Sequence, residues 1–385
     1  MRRLLVLTSA IIFLDVAFYA AISPLLPQYA DDLDLNKAQA GILSASYAAG
    51  TLLASLPAGY VAARAGPRRT VIGGLLLLGV SSLAFGFADQ YGLLASARFI
   101  QGISSALTWA GAFTWLITTS PADRRGSVIG AAIGTAVFGA LFGPPIGALA
   151  TAVGTEPVFG SVLAITLVMA WAAARIPDAT EPQEDSLRTV ISTLTSAPVM
   201  AATAMIAVPS LMFGTISVLV PLRIDDLGGS AALIAVGFTS AAAIEAVLAP
   251  VVGRYSDRAG RLQPYLTGIA VSALGILLVA AASQLGFVLA ALLVTSIGGG
   301  ICFVPATTML SDSAEASGLH QGLAAGLFNM AWAAGQVVGG AGGGGAASAL
   351  GNAVPCVAIA ILLLATALLA RRMAPALVPR PVTQV

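Results

Sequence analysis

The sequence predicts an all-α membrane protein, with twelve transmembrane helices in two six-helix bundles related by a pseudo-twofold axis. Three observations carry this expectation: an apolar, charge-poor composition, a strict alternation of basic residues between successive loops, and an internal repeat at a near-constant offset.

The 385 residues are 58% hydrophobic and 9% charged, with a mean hydropathy of +0.93. A soluble domain carries about 25% charged residues, so a chain this apolar needs lipid as its solvent. Length alone would suggest two or three soluble domains, yet no segment has a soluble composition. A span needs about 20 apolar residues. Apolar stretches fall at 4–27, 39–62, 70–88, 92–119, 126–150 and 157–174, then at 197–221, 231–252, 264–282, 286–310, 321–346 and 354–370. These are spans 1 to 12. Each is read as a helix, because lipid offers the backbone no outside partner. Arg2 and Arg3 before an apolar run imitate a secretory signal, but Asp15 interrupts the run and it continues to Pro27, so a first span is expected.

Basic residues concentrate in cytoplasmic loops. With the N-terminus inside, the inner set is Arg2, Arg3, Arg64, Arg68, Arg69, Arg124, Arg125, Arg175, Arg188, Arg254, Arg258, Arg261, Arg371, Arg372 and Arg380. The outer set is Lys37 and Arg223, and Arg98 lies within span 4. Losing one helix would scramble this pattern, so the helix count is even and both termini are expected in the cytoplasm.

The halves repeat. Ser23 to Pro27 followed by Asp31 and Asp32 matches Ser217 to Pro221 followed by Asp225 and Asp226, at an offset of 194 residues. The same offset relates Gly59, Arg64 and Gly66 to Gly253, Arg258 and Gly260. Gly126, Gly130, Gly139 and Gly143 match Gly322, Gly326, Gly335 and Gly339 at an offset of 196. Duplicated halves are a transporter architecture. The join holds Asp178, Glu181, Pro182, Glu184, Asp185 and Arg188 and reads as a linker. The expected division is an N-terminal bundle at 1–175, a cytoplasmic linker at 176–196 and a C-terminal bundle at 197–385.

Several enzyme and cofactor classes are excluded by residue type. His320 is the single histidine, which excludes multi-histidine zinc sites. Cys302 and Cys356 lie in apolar stretches, form no CxxC and read as structural thiols. The glycine run 339–345 is no phosphate loop, since no Lys-Ser/Thr follows it. It is either a packed hinge or a loosely wound helix end.

The motifs resemble those of the major facilitator superfamily over nearly the whole chain. After span 2, Gly59, Arg64, Gly66, Arg68 and Arg69 are similar to that family's G-x-x-x-D-R-x-G-R-R loop, with Ala63 in place of the usual Asp. The copy after span 8, Gly253, Asp257, Arg258, Gly260 and Arg261, keeps the acid. Arg98, Gln101 and Gly102 resemble its R-x-x-Q-G motif. In span 5, Gly139, Gly143, Pro144, Pro145 and Gly147 resemble the motif of its antiporter members. Asp15 followed by Pro24 and Pro27 resembles the drug/proton antiporters and vesicular amine transporters. The resemblance implies the major facilitator fold and alternating access. It also implies a charge latch on the gating loops, with Asp257–Arg258 the better candidate, and coupling between proton and substrate through Arg98.

Asp15 lies about eleven residues into span 1, where a carboxylate costs about 2.5–3.5 kcal/mol on insertion scales. It should face the central cavity and exchange a proton or bind a cation; the alternative is a purely structural pairing. Glu245, midway along span 8, bears the same cost and is expected either to take part in proton or substrate binding or to make a buried structural hydrogen bond. Arg98 stays charged and must find a carboxylate, carbonyls or water, unless it snorkels to the outer interface. Tyr19, Asn329 and Trp332 are candidates to line a cavity for a lipophilic cation, with packing as the alternative. Gly139, Gly143 and Gly147 permit close helix approach, and Pro144 and Pro145 a kink. Asp312 and Glu315 are expected to be solvated at the end of span 10.

Together these readings predict a secondary active transporter rather than an enzyme. The preferred form is a proton-coupled antiporter exporting a small amphipathic or cationic compound, working as a monomer in a bacterial inner membrane. It would need no cofactor or metal and no nucleic acid, its partners being substrate, protons and the lipid bilayer. A proton symporter or facilitator for metabolite uptake is the alternative on the same fold. A non-transporting membrane receptor is a third reading.

Overall fold

A computed structural model describes residues 2–120, 125–178, 196–316 and 321–377. Twelve helical spans are traced among them, one for each predicted stretch. α1 consists of Arg2–Ala20 and Ile22–Asp32, joined at Ala21. Then follow α2 (Lys37–Ala65), α3 (Pro67–Gly86), α4 (Tyr91–Thr119), α5 (Arg125–Val153) and α6 (Thr155–Ala174). The second half has α7 (Ala197–Asp226), α8 (Ala231–Ala259), α9 (Leu262–Ala281) and α10 (Leu285–Ala316). α11 is built from Gln321–Val337, a π-helical turn Val338–Gly342 and Gly343–Leu350. α12 is Ala353–Leu377.

Among the described residues, ten of these spans are long and apolar enough to cross a membrane. The other two have visible reasons to fall short. α4 carries Arg98, Gln101, Ser104, Ser105 and Thr108, and α11 is cut by its π turn. Large apolar side chains such as Leu53, Val168, Val247 and Leu368 stay exposed on the helix surfaces, as a lipid-facing belt requires.

Two of the tight turns follow from glycine. α2 passes to α3 through Gly66 at φ +90°, and α8 ends at Gly260 at φ +85°. A side chain is disfavoured at both. The two glycines are 194 residues apart, so the repeat extends to backbone conformation.

Lipid supplies no hydrophobic drive between helices, so close packing and hydrogen bonds hold them together. Gly139, Gly143 and Gly147 of α5 form one stripe against α1; a Cβ at Gly143 would lie 2.6 Å from the Ala17 carbonyl oxygen. Gly335, Gly339 and Gly343 repeat that stripe on α11 against α7, each 196 residues on; a Cβ at Gly335 would lie 2.6 Å from Ser210 Cβ. α5 continues as one helix through Pro144 and Pro145, and its glycine stripe makes a tightly packed seam. The glycine run in α11 is helical and not frayed. Its π turn exposes a carbonyl at Gly339, and Thr215 Oγ1 donates to it at 2.8 Å.

The bundle has a basic face, where α1 begins and α2 ends, and an acidic face opposite. The acidic face carries Asp31, Asp32, Asp34, Asp89, Glu156, Asp225 and Asp226 against Lys37 and Arg223. Contacts between the halves crowd toward it. A Cβ at Gly344 would lie 3.0 Å from Gly41 Cα, Lys37 Nζ donates to Asn352 Oδ1 at 3.0 Å, and the Ser44 and Ser217 hydroxyls meet at 3.3 Å. At the basic face neither ion pair among the described residues joins the two halves: Arg68 pairs with Asp178 at the start of the linker at 3.7 Å, and Arg261 with Asp312. The molecule is thus drawn together at its acidic face. The buried apolar side chains divide likewise, one cluster drawn from residues 199–370 and three from residues 4–173 with Val218.

Candidate functional site

The site begins with a broken helix. Pro24 has no N–H to give the Ala20 carbonyl and crowds that turn, and α1 breaks at Ala21. The break turns the nearby carbonyls of Phe18 and Tyr19 outward. Arg98 of α4 takes both: its Nη1 donates to Phe18 O at 3.2 Å and its Nη2 to Tyr19 O at 3.1 Å. Nη1 also donates to Gln101 Oε1 at 3.0 Å, and Gln101 Nε2 donates to Ser82 Oγ at 3.1 Å. Arg98 is 1% exposed and is enclosed by the rings of Tyr47, Phe85 and Tyr19, at 5.1, 5.8 and 5.9 Å. It does not snorkel; carbonyl oxygens and aromatic faces replace its water.

One turn before these carbonyls lies Asp15, 1% exposed and turned into the protein. Its Oδ1 accepts from Tyr47 Oη of α2 at 3.0 Å. Its Oδ2 accepts from Ser105 Oγ at 2.7 Å and from Trp109 Nε1 at 2.8 Å, both on α4. The sequence reading expects this carboxyl to face the central cavity; in this conformer it is closed off from solvent. It is sealed behind three donors from two neighbouring helices. Tyr47, Ser105 and Trp109 are functional candidates that the sequence reading passes over.

The shell has a defined chemistry. Ionised, Asp15 accepts three hydrogen bonds. Once it takes a proton it must also donate one. Trp109 Nε1 can only donate, whereas the Ser105 and Tyr47 hydroxyls can turn and accept. The two hydroxyls are thus the parts that can reorganise on protonation.

From this shell an aromatic path leads to the other half. Tyr47 packs on Tyr19 with ring centroids 4.8 Å apart, and Tyr19 meets Trp332 of α11 at 5.3 Å. Asn329 is half-buried one turn before Trp332. Asp15, Arg98, Tyr19 and Trp332 are therefore brought together.

Glu245 stands elsewhere. It packs over Gly300 of α10, with the Ser296 hydroxyl beside it. The repeat explains the placement. Thr51 Oγ1 donates to the Gly102 carbonyl between α2 and α4 at 3.2 Å. Glu245 and Ser296 are the residues 194 positions on, between α8 and α10. A shared helix contact holds a threonine in one half and a carboxyl in the other.

On the gating loops, Arg68 engages Asp178: the ion pair is joined by its backbone N–H donating to Asp178 Oδ1 at 3.2 Å. This acid comes from the segment after α6 and not from position 63. Arg261 pairs with Asp312, so Asp312 is an ion-pair partner and not a freely solvated end. Asp257 and Arg258 are exposed, as is Arg64, which stacks on Tyr60 at 4.7 Å. Gly59 is exposed at the basic end of α2. Cys302 and Cys356 are free and buried. Arg124, His320, Arg380 and the linker from residue 179 to 195 lie outside the described residues.

A family model described as Major Facilitator Superfamily matches residues 8–222 and 202–385, nearly the whole chain. The chain belongs to the major facilitator superfamily. Two crystal structures of a bacterial homologue of the human lysosomal transporter Spinster, both inward-facing, one unoccupied and one occupied, share the fold. Their TM-scores are 0.79 and 0.80 over 98% of each chain, at 13% and 14% identity. Among curated relatives, "MFS-type transporter ppzB" of Metarhizium majus is 30% identical over 125 residues, 31% of this chain and 27% of that protein. "Probable vesicular acetylcholine transporter-B" of Danio rerio is 37% identical over 114 residues, 27% of this chain and 23% of that protein. "Multidrug resistance protein MdtL" of Escherichia coli is 33% identical over 129 residues, 34% of this chain and 33% of that protein. The chain matches a third or less of the length of these relatives. As a major facilitator transporter it is a multi-pass membrane protein with two pseudo-twofold-related six-helix halves.

Proposed function

We propose that this transporter is a proton-coupled antiporter that exports a small amphipathic or cationic compound by alternating access. The observation that supports the reading best is the Asp15 shell. An intramembrane carboxyl, bonded by Tyr47, Ser105 and Trp109, lies one helical turn from the carbonyls that hold Arg98. Intramembrane acids mark proton and substrate paths. Aromatic rings around the site (Tyr19, Tyr47, Trp109 and Trp332) suit a lipophilic cation.

In this reading the basic face is cytoplasmic, and the form drawn together at its acidic face is inward-facing. The basic loops support that orientation. Protonation of Asp15 from outside turns a hydroxyl of its shell and removes a counter-charge from the neighbourhood of Arg98, which loosens the tie between α4 and broken α1. Substrate binding on the inside displaces the proton. Glu245 is a second exchangeable carboxyl on the opposing half. The Arg68–Asp178 and Arg261–Asp312 pairs secure the two loops while the halves move. One charge crossing 100 mV is worth about 2.3 kcal/mol and one pH unit about 1.36 kcal/mol per proton, so one or two protons can drive substantial export. The similarity to MdtL and to a vesicular transporter, both partial, favours this branch of the family over metabolite uptake.

The test is proton release from purified protein on adding candidate lipophilic cations, read with a pH dye in weak buffer. Asp15→Asn should abolish most of the release and Glu245→Gln should change its stoichiometry. Unchanged release in both variants would remove the carboxyl assignment.

A further inference from the structure

The two basic residues of the acidic face, Lys37 and Arg223, line one cavity of about 330 Å³. Lys37 begins α2 in the first half, and Arg223 lies near the end of α7 in the second. The wall between them is Leu219, Val279 and Ala282, and Asn352 closes one side just before α12 begins. The volume falls in the range of small-molecule sites, about 300–1,000 Å³.

Seven carboxylates share this face, yet neither cation makes an ion pair with any of them among the described residues. Lys37 gives one bond, to Asn352 Oδ1, of the three its ammonium can donate. Arg223 gives Nε and Nη2 to the Ala282 carbonyl, both at 3.3 Å, which anchors the guanidinium and leaves further N–H groups unassigned. Asp31, Asp32 and Asp225 line a different cavity. The start of α12 beside Asn352 adds the partial positive charge of a helix N-terminus.

We propose that this cavity binds a phosphate anion, free or as the headgroup of an anionic lipid, and that the anion ties the two halves together at the acidic face. Phosphate offers several acceptor oxygens to an anchored guanidinium and an ammonium at once. The apolar wall suits the glycerol and acyl portion of a phospholipid at headgroup depth. Because Lys37 and Arg223 come from opposite halves, the site is complete only when that face is closed. The anion therefore binds one conformer better and shifts the population toward it. This site does not depend on what the transporter exports, and its test measures binding without transport.

The experiment is thermal unfolding of detergent-purified protein titrated with inorganic phosphate against chloride at matched ionic strength. It is repeated in nanodiscs of phosphatidylcholine with or without phosphatidylglycerol. Wild type should gain stability from phosphate or from phosphatidylglycerol. Lys37→Gln and Arg223→Gln should each weaken the response about tenfold, as expected for one charge-assisted hydrogen bond. Lys37→Arg, which keeps the charge, should retain it, so a general folding defect in Lys37→Gln would be recognised. A response to phosphatidylglycerol alone identifies the lipid headgroup as the source, and a response to inorganic phosphate as well admits the free anion. No response to either, or a response that survives in both glutamine variants, overturns the proposal.

Discussion

Tyr19 of α1 and Trp332 of α11 meet edge to face, ring centroids 5.3 Å apart, across the seam between the two halves. Tyr19 in turn packs on Tyr47, which donates to Asp15. One ring of the second half is therefore three contacts away from the carboxyl that the proposed mechanism titrates.

That contact should stabilise the observed conformer. An aromatic pair contributes about 0.5–1.5 kcal/mol beyond its buried area. Trp332→Ala should shift the conformer ratio about two- to tenfold toward the form open at the acidic face, and Trp332→Phe by less. Spin-label distances between the acidic ends of α2 and α11 would register the change. A distance distribution identical to wild type would show that the rings touch without holding.

A methyl group should act at the glycine contact between α2 and α11. A Cβ at Gly344 would lie 2.5 Å from the Lys37 carbonyl oxygen and 3.0 Å from Gly41 Cα. Overpacking of this kind costs about 1–3 kcal/mol, so Gly344→Ala should raise accessibility at the acidic face at least fivefold. Gly345→Ala is the control, since a Cβ there meets nothing within 4 Å. Thiol labelling of a cysteine introduced on α2 near the seam would separate the two.

The α1–α5 seam should be equally intolerant, with stability as the readout. A Cβ at Gly143 would lie 2.5 Å from Ala20 Cβ, whereas one at Gly134 of the same helix meets nothing within 4 Å. Gly143→Ala should lower the thermal midpoint and Gly134→Ala should leave it near wild type. Equal midpoints would mean that the stripe is slack.

Arg98→Lys should fail as a conservative change. The planar fork reaches two carbonyls and Gln101 together, and an ammonium cannot reproduce that geometry. Each lost charge-assisted bond is worth about 1.5–3 kcal/mol. The expected result is a lower thermal midpoint together with substrate-induced proton release reduced at least tenfold. Full retention of both would reduce Arg98 to a replaceable positive charge.

Glu245→Thr should fold well, because Thr51 fills the equivalent position of the first half. Its thermal midpoint should match wild type while any dependence of transport on Glu245 disappears. A large loss of stability would show that the repeat relationship does not extend to this contact.

The architecture was legible in the sequence because lipid imposes a solvation cost on every residue of a span. All twelve stretches are helices, and the 194-residue offset recurs in the φ angles of Gly66 and Gly260. Boundaries were less legible: α7 runs on to Asp226 and α10 to Ala316, beyond their apolar limits, because helices continue past the hydrocarbon core. The charged members of the site, Asp15 and Arg98, stand out for the same solvation reason. Tyr47, Ser105 and Trp109 do not, since a neutral hydroxyl or indole in an apolar run signals little until another helix brings a carboxyl to it. The break at Ala21 and the π turn of α11 depend on which carbonyls find partners across a helix interface, which no single stretch records.

The cradle around Arg98 also bears on how the chain is made. α4 is too polar to qualify as a span by itself, and its permanent cation is solvated by carbonyls of α1. Because α1 leaves the ribosome first, those acceptors are already waiting when α4 arrives. Insertion of α4 should then be a cooperative event that needs α1 alongside, and α4 expressed without α1 should slip from the translocon into the aqueous phase.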